Sequence, residues 1–122
     1  MLLYNQKETN NTTQKKKEKE VQIMKNNIIK LNDYRVEFEI IVNELLAENP
    51  DWTRFDYKQA WWSNLINEQF KLLKSYNTIV ALVDTENHKF YELGKWSTTT
   101  SKQVTQYYNK FYSNFDRYLV VS

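Results

Sequence analysis

Apolar and polar positions change period along this chain, and the changes mark its elements. From Asp33 to Glu48 two periods compete: Tyr34, Val36, Phe38 and Ile40 alternate with charged residues, while Tyr34, Phe38, Ile41, Val42 and Leu45 fall on one helical face. The continuation Asn43-Glu44-Leu45-Leu46-Ala47-Glu48 favours helix, with Asn32 or Asp33 as its cap and Asn49-Pro50 as its stop. Pro50 to Thr53 reads as a turn. Asp56 then caps a second, short helix with a stripe of Tyr57, Trp61 and Leu65, with Trp62 and Ile66 as candidates to extend it. The adjoining Trp61 and Trp62 cannot share a helical face, so one of them is expected in the core and the other half exposed.

Downstream the period shortens. Gln69 to Leu73 reads as a strand, Ile79 to Val83 is a β-branched run suited to a central strand covered on both faces, and Phe90 to Leu93 returns antiparallel after a turn at Thr85 to His88. Lys71, Lys74, Lys89 and Lys95 flank these strands, as lysines that guard sheet edges do. Gly94, the chain's one glycine, closes the hairpin. The run Ser97 to Thr100 opens a helix, with a capping box expected from Thr100 to Gln103. Val104, Tyr108, Phe111, Tyr112 and Phe115 form its core stripe, leaving Tyr107 and Lys110 outward. Arg117 to Val121 is read as a last strand on the sheet edge. The expected fold is α+β: a small antiparallel sheet of three or four strands, with two N-terminal helices and a C-terminal helix packed on it.

Residues 5–20 contain no apolar side chain, so residues 1–30 are expected as a disordered basic tail ahead of one α+β domain at 31–122. Lys19-Glu20-Val21 can be encoded by a purine-rich ribosome-binding sequence upstream of Met24, which makes Met24 the expected native start and the preceding residues translated leader. Charge follows the same division. Residues 1–30 carry seven Lys and three Glu, whereas 31–122 carry ten Lys or Arg against twelve Asp or Glu, so the overall +2 conceals a slightly acidic body. Within that body 33–56 is acidic and 57–122 is net basic.

Composition removes several chemistries. Without cysteine there is no disulfide or thiolate, one histidine cannot build a multi-histidine metal site, and one glycine cannot build a phosphate loop. His88 falls in a turn away from Ser97, so no nucleophile and base are paired. The reading is therefore non-catalytic, with no cofactor and no metal. No apolar run reaches the length of a membrane span, and a cytoplasmic location is expected. Ser97, Thr98, Thr99 and Thr100 at a helix N-terminus are candidates for anion binding, against capping alone. Tyr91, Trp62, Tyr107 and Lys110 are candidates for partner binding, since exposed aromatics beside lysine suit a protein partner and also a single-stranded nucleic acid.

Ser75-Tyr76-x-Thr78-x-Val80-Ala81, followed by Trp96-Ser97-x-Thr99-Thr100-Ser101-Lys102 and an aromatic helix ending near Phe111, resembles a domain of unknown function widespread in small phage and plasmid proteins of low-GC Gram-positive bacteria. Phe55-x-Tyr57-x-x-Ala60-Trp61 and Leu65 extend the resemblance upstream, so it spans roughly 54–115. Gln103 and Val104 depart from it, standing where a histidine or asparagine is expected. The resemblance implies a mobile-element accessory protein and supplies no catalytic residues. The expected function is a protein that binds and inhibits a host component, such as an anti-CRISPR or other anti-defence inhibitor. The alternative is a nucleic-acid-binding or regulatory protein of a mobile element.

Overall fold

In the computed structural model, which describes residues 21–23, 28–55 and 57–121, strands dominate. In chain order the elements are β1 (Val21–Ile23), β2 (Ile28–Asn32), α1 (Arg35–Leu46), β3 (Trp52–Phe55), β4 (Ala60–Ser63), β5 (Phe70–Ser75), β6 (Thr78–Asp84), β7 (Lys89–Glu92), α2 (Thr98–Phe111) and β8 (Asp116–Val121). All eight described strands join one sheet in the order β1-β2-β8-β7-β6-β5-β4-β3. From β3 to β7 the chain runs as an antiparallel meander. The connection through α2 then returns β8 parallel to β7, and β8 also pairs parallel with β2. A parallel return needs a crossover, and α2 is that crossover.

The two described helices pack against opposite faces. Val42 and Leu45 of α1 join Leu31, Ile66, Leu72, Leu82, Leu93 and Val120 in one core. Val104 and Tyr107 of α2 join Phe55, Ala60, Leu73, Val80, Phe90 and Tyr112 in the other. Successive strand residues point to opposite faces, which is why Leu72 and Leu73 belong to different cores. β6 lies between them, and Val80 to Val83 are all buried as a doubly covered strand requires.

The expected small three- or four-stranded antiparallel sheet with three helices is thus replaced by a large mixed sheet with two described helices. Helix α1 and the β6–β7 hairpin form where the pattern places them, although the N-cap of α1 is Tyr34 and not the expected Asn32, which ends β2, or Asp33. The second helix does not form: Ala60 to Ser63 is β4, with Trp61 and Trp62 on opposite faces. The Tyr57, Trp61, Leu65 spacing fits a helix, but the aromatic pair also suits a strand, and pairing on both sides with β3 and β5 decides between them. Trp52 and Thr53 belong to β3 and not to a turn. β8 is interior, because β2, which straddles the boundary drawn at residue 30 between tail and domain, covers its far side. Met24 and Asp56 lie outside the described residues. β1, which precedes Met24, pairs with β2.

Gly94 follows β7 with φ of 144°, a region that L side chains rarely adopt. An added Cβ there would lie 3.3 Å from both Arg35 Nη1 and the Trp96 ring, so the crossover begins where two side chains close over bare backbone.

Helix α2 is capped by Ser97, whose hydroxyl accepts from the Thr100 N–H at 3.3 Å. Its inward face is Thr100, Gln103, Val104 and Tyr107. The capping box expected from Thr100 to Gln103 is absent because both side chains turn into the core. Tyr107, expected outside, is 0% exposed, whereas Phe111, expected inside, is 44% exposed. Truncating Tyr107 to alanine should therefore cost about 3–5 kcal/mol, the range for deleting a buried aromatic, with a matching fall in melting temperature. Lys110→Ala, one helical turn on and exposed, should change melting by little.

Candidate functional site

The residues of the Ser75 and Trp96–Lys102 motif meet at the seam between β5 and α2, and their bonds explain why these types stand there. Ser75 Oγ donates to Gln103 Oε1, which leaves Thr100 Oγ1 to donate to Ser75 Oγ at 3.1 Å. Gln103 Nε2 donates to the Tyr57 carbonyl at 3.1 Å. All three side chains are buried, and a buried polar group without a partner is costly, so this closed set fixes α2 against the sheet. Ser101 Oγ donates to the Trp96 carbonyl at 3.3 Å. Of the proposed anion-binding group, Ser97 is engaged as the cap and Thr100 in the seam; Thr98 is exposed and Thr99 half-buried. The motif is thus a joint of the fold.

Beneath the same helix, Arg117 Nη2 pairs with Glu92 Oε1 at 3.0 Å and donates to Thr105 Oγ1 at 3.0 Å. Burial pushes the Glu92 carboxyl above its ordinary range, outweighing the downward pull of Arg117. At the β6–β7 turn the balance is opposite. Burial alone would raise Asp84, but bonds from the Asn87 and Gln69 side chains and from the Asn87 and Glu86 N–H groups hold it below the usual carboxylate range. Among the described residues, the hydrogen-bond donors to the two carboxylates are Arg117, Gln69, Glu86 and Asn87, with no serine or threonine hydroxyl among them. His88 is exposed in that turn with its ring 5.0 Å from Phe115. Among the described residues no group of His, Asp and Glu is placed to hold a metal.

Two of the four partner-binding candidates come together. Trp62, on β4, lies 5.8 Å from Phe111, and Lys110 Nζ sits 5.4 Å from the Phe111 ring and 6.0 Å from that of Phe55. Lys71 Nζ covers Trp62 at 4.9 Å. Tyr107 lies beneath this group in the core, where burial drives its phenol far above the ordinary range. Tyr91 is on the opposite face, stacked 5.1 Å from Tyr118 and 4.7 Å from Phe38, and burial, with the charges of Tyr118 and Asp84, pushes its pKa up to about 12.

Residues missed by the sequence reading complete this end of the sheet. On the α1 side, Lys74 Nζ lies 4.3 Å from the Trp52 ring and 5.5 Å from that of Trp61, and the Arg54 guanidinium lies 5.3 Å from Trp61. Lys71 and Lys74 are therefore not edge guards: β5 is interior, and both lysines cover tryptophans. The β-strand period would have shown this, since it places Trp52, Trp61 and Lys74 on one face once β3, β4 and β5 are paired.

Removing the cation from the buried pair tests its electrostatics. Arg117→Met should cost about 3–5 kcal/mol near neutral pH by leaving Glu92 charged and unpaired. Because the folded-state pKa of Glu92 is already raised, and loses its opposing charge in the variant, the folded state takes up the proton more readily than the unfolded chain. The stability gap to the wild type should narrow as pH falls through that raised value, as read by urea unfolding at two pH values.

Among the described residues no helix is long and apolar enough to cross a membrane. No curated protein matches the chain, and no solved structure does. A family model described as a family of unknown function (DUF8033) matches residues 5–118, reaching upstream through the lysine-rich segment and β1. With nearly its whole length covered, the chain belongs to this family of unknown function.

Proposed function

We propose that this is a non-catalytic accessory protein of a phage or other mobile element, one that binds and inhibits a host protein in the manner of an anti-CRISPR or other anti-defence factor. The mobile-element setting comes from the motif resemblance; the mode of action comes from the surface. The observation that carries it is Phe111, a large apolar side chain 44% exposed at the end of α2 and bordered by Lys110 and Trp62. Neither Lys110 nor Lys71 has an acidic partner among the described residues, so both charges remain open to an incoming surface. An aromatic anchor ringed by cations suits an acidic protein surface with an apolar pocket, and such anchors carry a disproportionate share of binding energy. The hydroxyls support the same reading: Ser97, weighed as a nucleophile, is engaged as the cap of α2, and Ser75 and Thr100 bond within a buried structural set.

Phe111→Ala combined with Lys110→Glu should remove anchor and charge together. The expected outcome is loss of activity in a phage or plasmid protection assay against host defence, with melting temperature within a few degrees of wild type. Full protection by the folded variant would place the contact elsewhere. Absence of any protective effect from the wild type would remove the anti-defence reading.

A further inference from the structure

The opposite face of the same end of the sheet carries a second feature, which the anchor at Phe111 does not use. Trp52, Lys74, Trp61 and Arg54 form a continuous row in which rings and cations alternate, with successive separations of 4.3, 5.5 and 5.3 Å. Strand pairing fixes the row. Trp52 is opposite Ser63, so Trp61 is its diagonal neighbour, about 7–8 Å away across the β3–β4 pair; Arg54 is directly opposite Trp61, and Lys74 is opposite it on β5. The Arg54 guanidinium is held in place by donating to the Lys58 carbonyl at 2.7 Å. Both rings are half-buried, and Arg54 is exposed.

We propose that this row binds single-stranded nucleic acid. The charges point to an anionic ligand: the acidic groups that form ion pairs among the described residues are Glu39, Glu92 and Asp116, and none of them serves Lys74 or Arg54. The rings point to a ligand with flat faces. A single strand alternates anionic phosphates with stackable bases, as the row alternates cations with indoles. On binding, Lys74 leaves the ring faces for a phosphate and bases take the faces it leaves, while Arg54 meets a second phosphate from where the Lys58 carbonyl holds it. A duplex hides its base faces from such a platform, and the half-buried indoles present flat faces rather than a projecting anchor like Phe111, so they suit stacked bases better than the pocket of an acidic protein. Lys74 explains itself here as a cation between two tryptophans on an interior strand, where protection of a sheet edge is not needed.

The test is fluorescence anisotropy of labelled dT15 and rU15 with the full chain, across a salt series. Binding of at least one oligonucleotide at low salt is expected, with log K falling linearly in log salt. Trp61→Ala should weaken it about tenfold or more, the effect of losing one stacked base. Because Trp61 also packs, Lys74→Gln with Arg54→Gln provides a second reading: the salt slope should become shallower by about 0.7 per cation removed. Phe111→Ala with Lys110→Glu should leave oligonucleotide binding unchanged, which separates this site from the protein-binding anchor. No binding of either oligonucleotide at low salt would overturn the proposal. So would binding indifferent to the Trp61 and Lys74/Arg54 changes, or polyglutamate competing as well as the oligonucleotide at equal charge, which would assign the row to acidic protein.

Discussion

The buried set of Ser75, Thr100 and Gln103 governs the presentation of the functional surface, because it sets how α2 is turned about its own axis. A helix laid on a sheet by apolar contacts alone could settle at several rotations with similar burial. Hydrogen bonds are less forgiving: the Gln103 amide reaches both Ser75 Oγ and the Tyr57 carbonyl only when it points straight into the sheet. With Gln103 and Thr100 inward, helical spacing brings Val104 and Tyr107 inward too, and Phe111 is carried to the rim beside Trp62. The exposed aromatic anchor is thus a consequence of polar bonds about two to three turns away.

A second constraint comes from the parallel insertion of β8. Its position between β7 and β2 places Arg117 next to Phe90 and within reach of Glu92, under α2 and away from water. A buried pair of this kind adds little net stability over an apolar one but is costly to half-remove, so it penalises any register in which Arg117 and Glu92 fail to meet. On the α1 face the corresponding positions are aromatic. Tyr118 stacks on Tyr91, and Phe38 of α1 closes over them. Lys89 donates to the Tyr118 hydroxyl at 2.8 Å, and that bond, the largest influence on it, raises the ammonium pKa.

How much of this could be read from the chain depended on whether a residue's neighbours are local. Helix α1 and the β6–β7 hairpin were legible because their apolar periods are clean and their ends are marked by Asn49-Pro50 and by the polar turn at Thr85 to His88. β4 was not, since over so short a stretch Tyr57, Trp61 and Leu65 satisfy a helical period as well as Trp61 and Trp62 satisfy a strand. The rotation of α2 was hidden for a different reason. Thr100 and Gln103 look like surface or capping residues, and only the presence of Ser75 on β5, 28 positions before Gln103, makes them core residues. Taking them as outward shifted the inferred stripe, exchanging Tyr107 with Phe111. Of the candidate site, Trp62 and Lys110 were found from the sequence, while Trp52, Arg54, Trp61, Lys71 and Lys74 required the pairing of three strands to assemble.

The anchor proposed at Phe111 follows from that rotation, and the chain's lack of cysteine makes the rotation directly measurable. Single cysteines at positions 103, 107, 110 and 111, labelled with a maleimide under native conditions and compared with their rates in denaturant, would report the inward and outward faces of α2. Fast labelling at 110 and 111 with strong protection at 103 and 107 is the predicted pattern. Equal or faster labelling at 107 than at 111 would mean that the helix sits in the other rotation, and that the anchor lies on Tyr107 and not on Phe111.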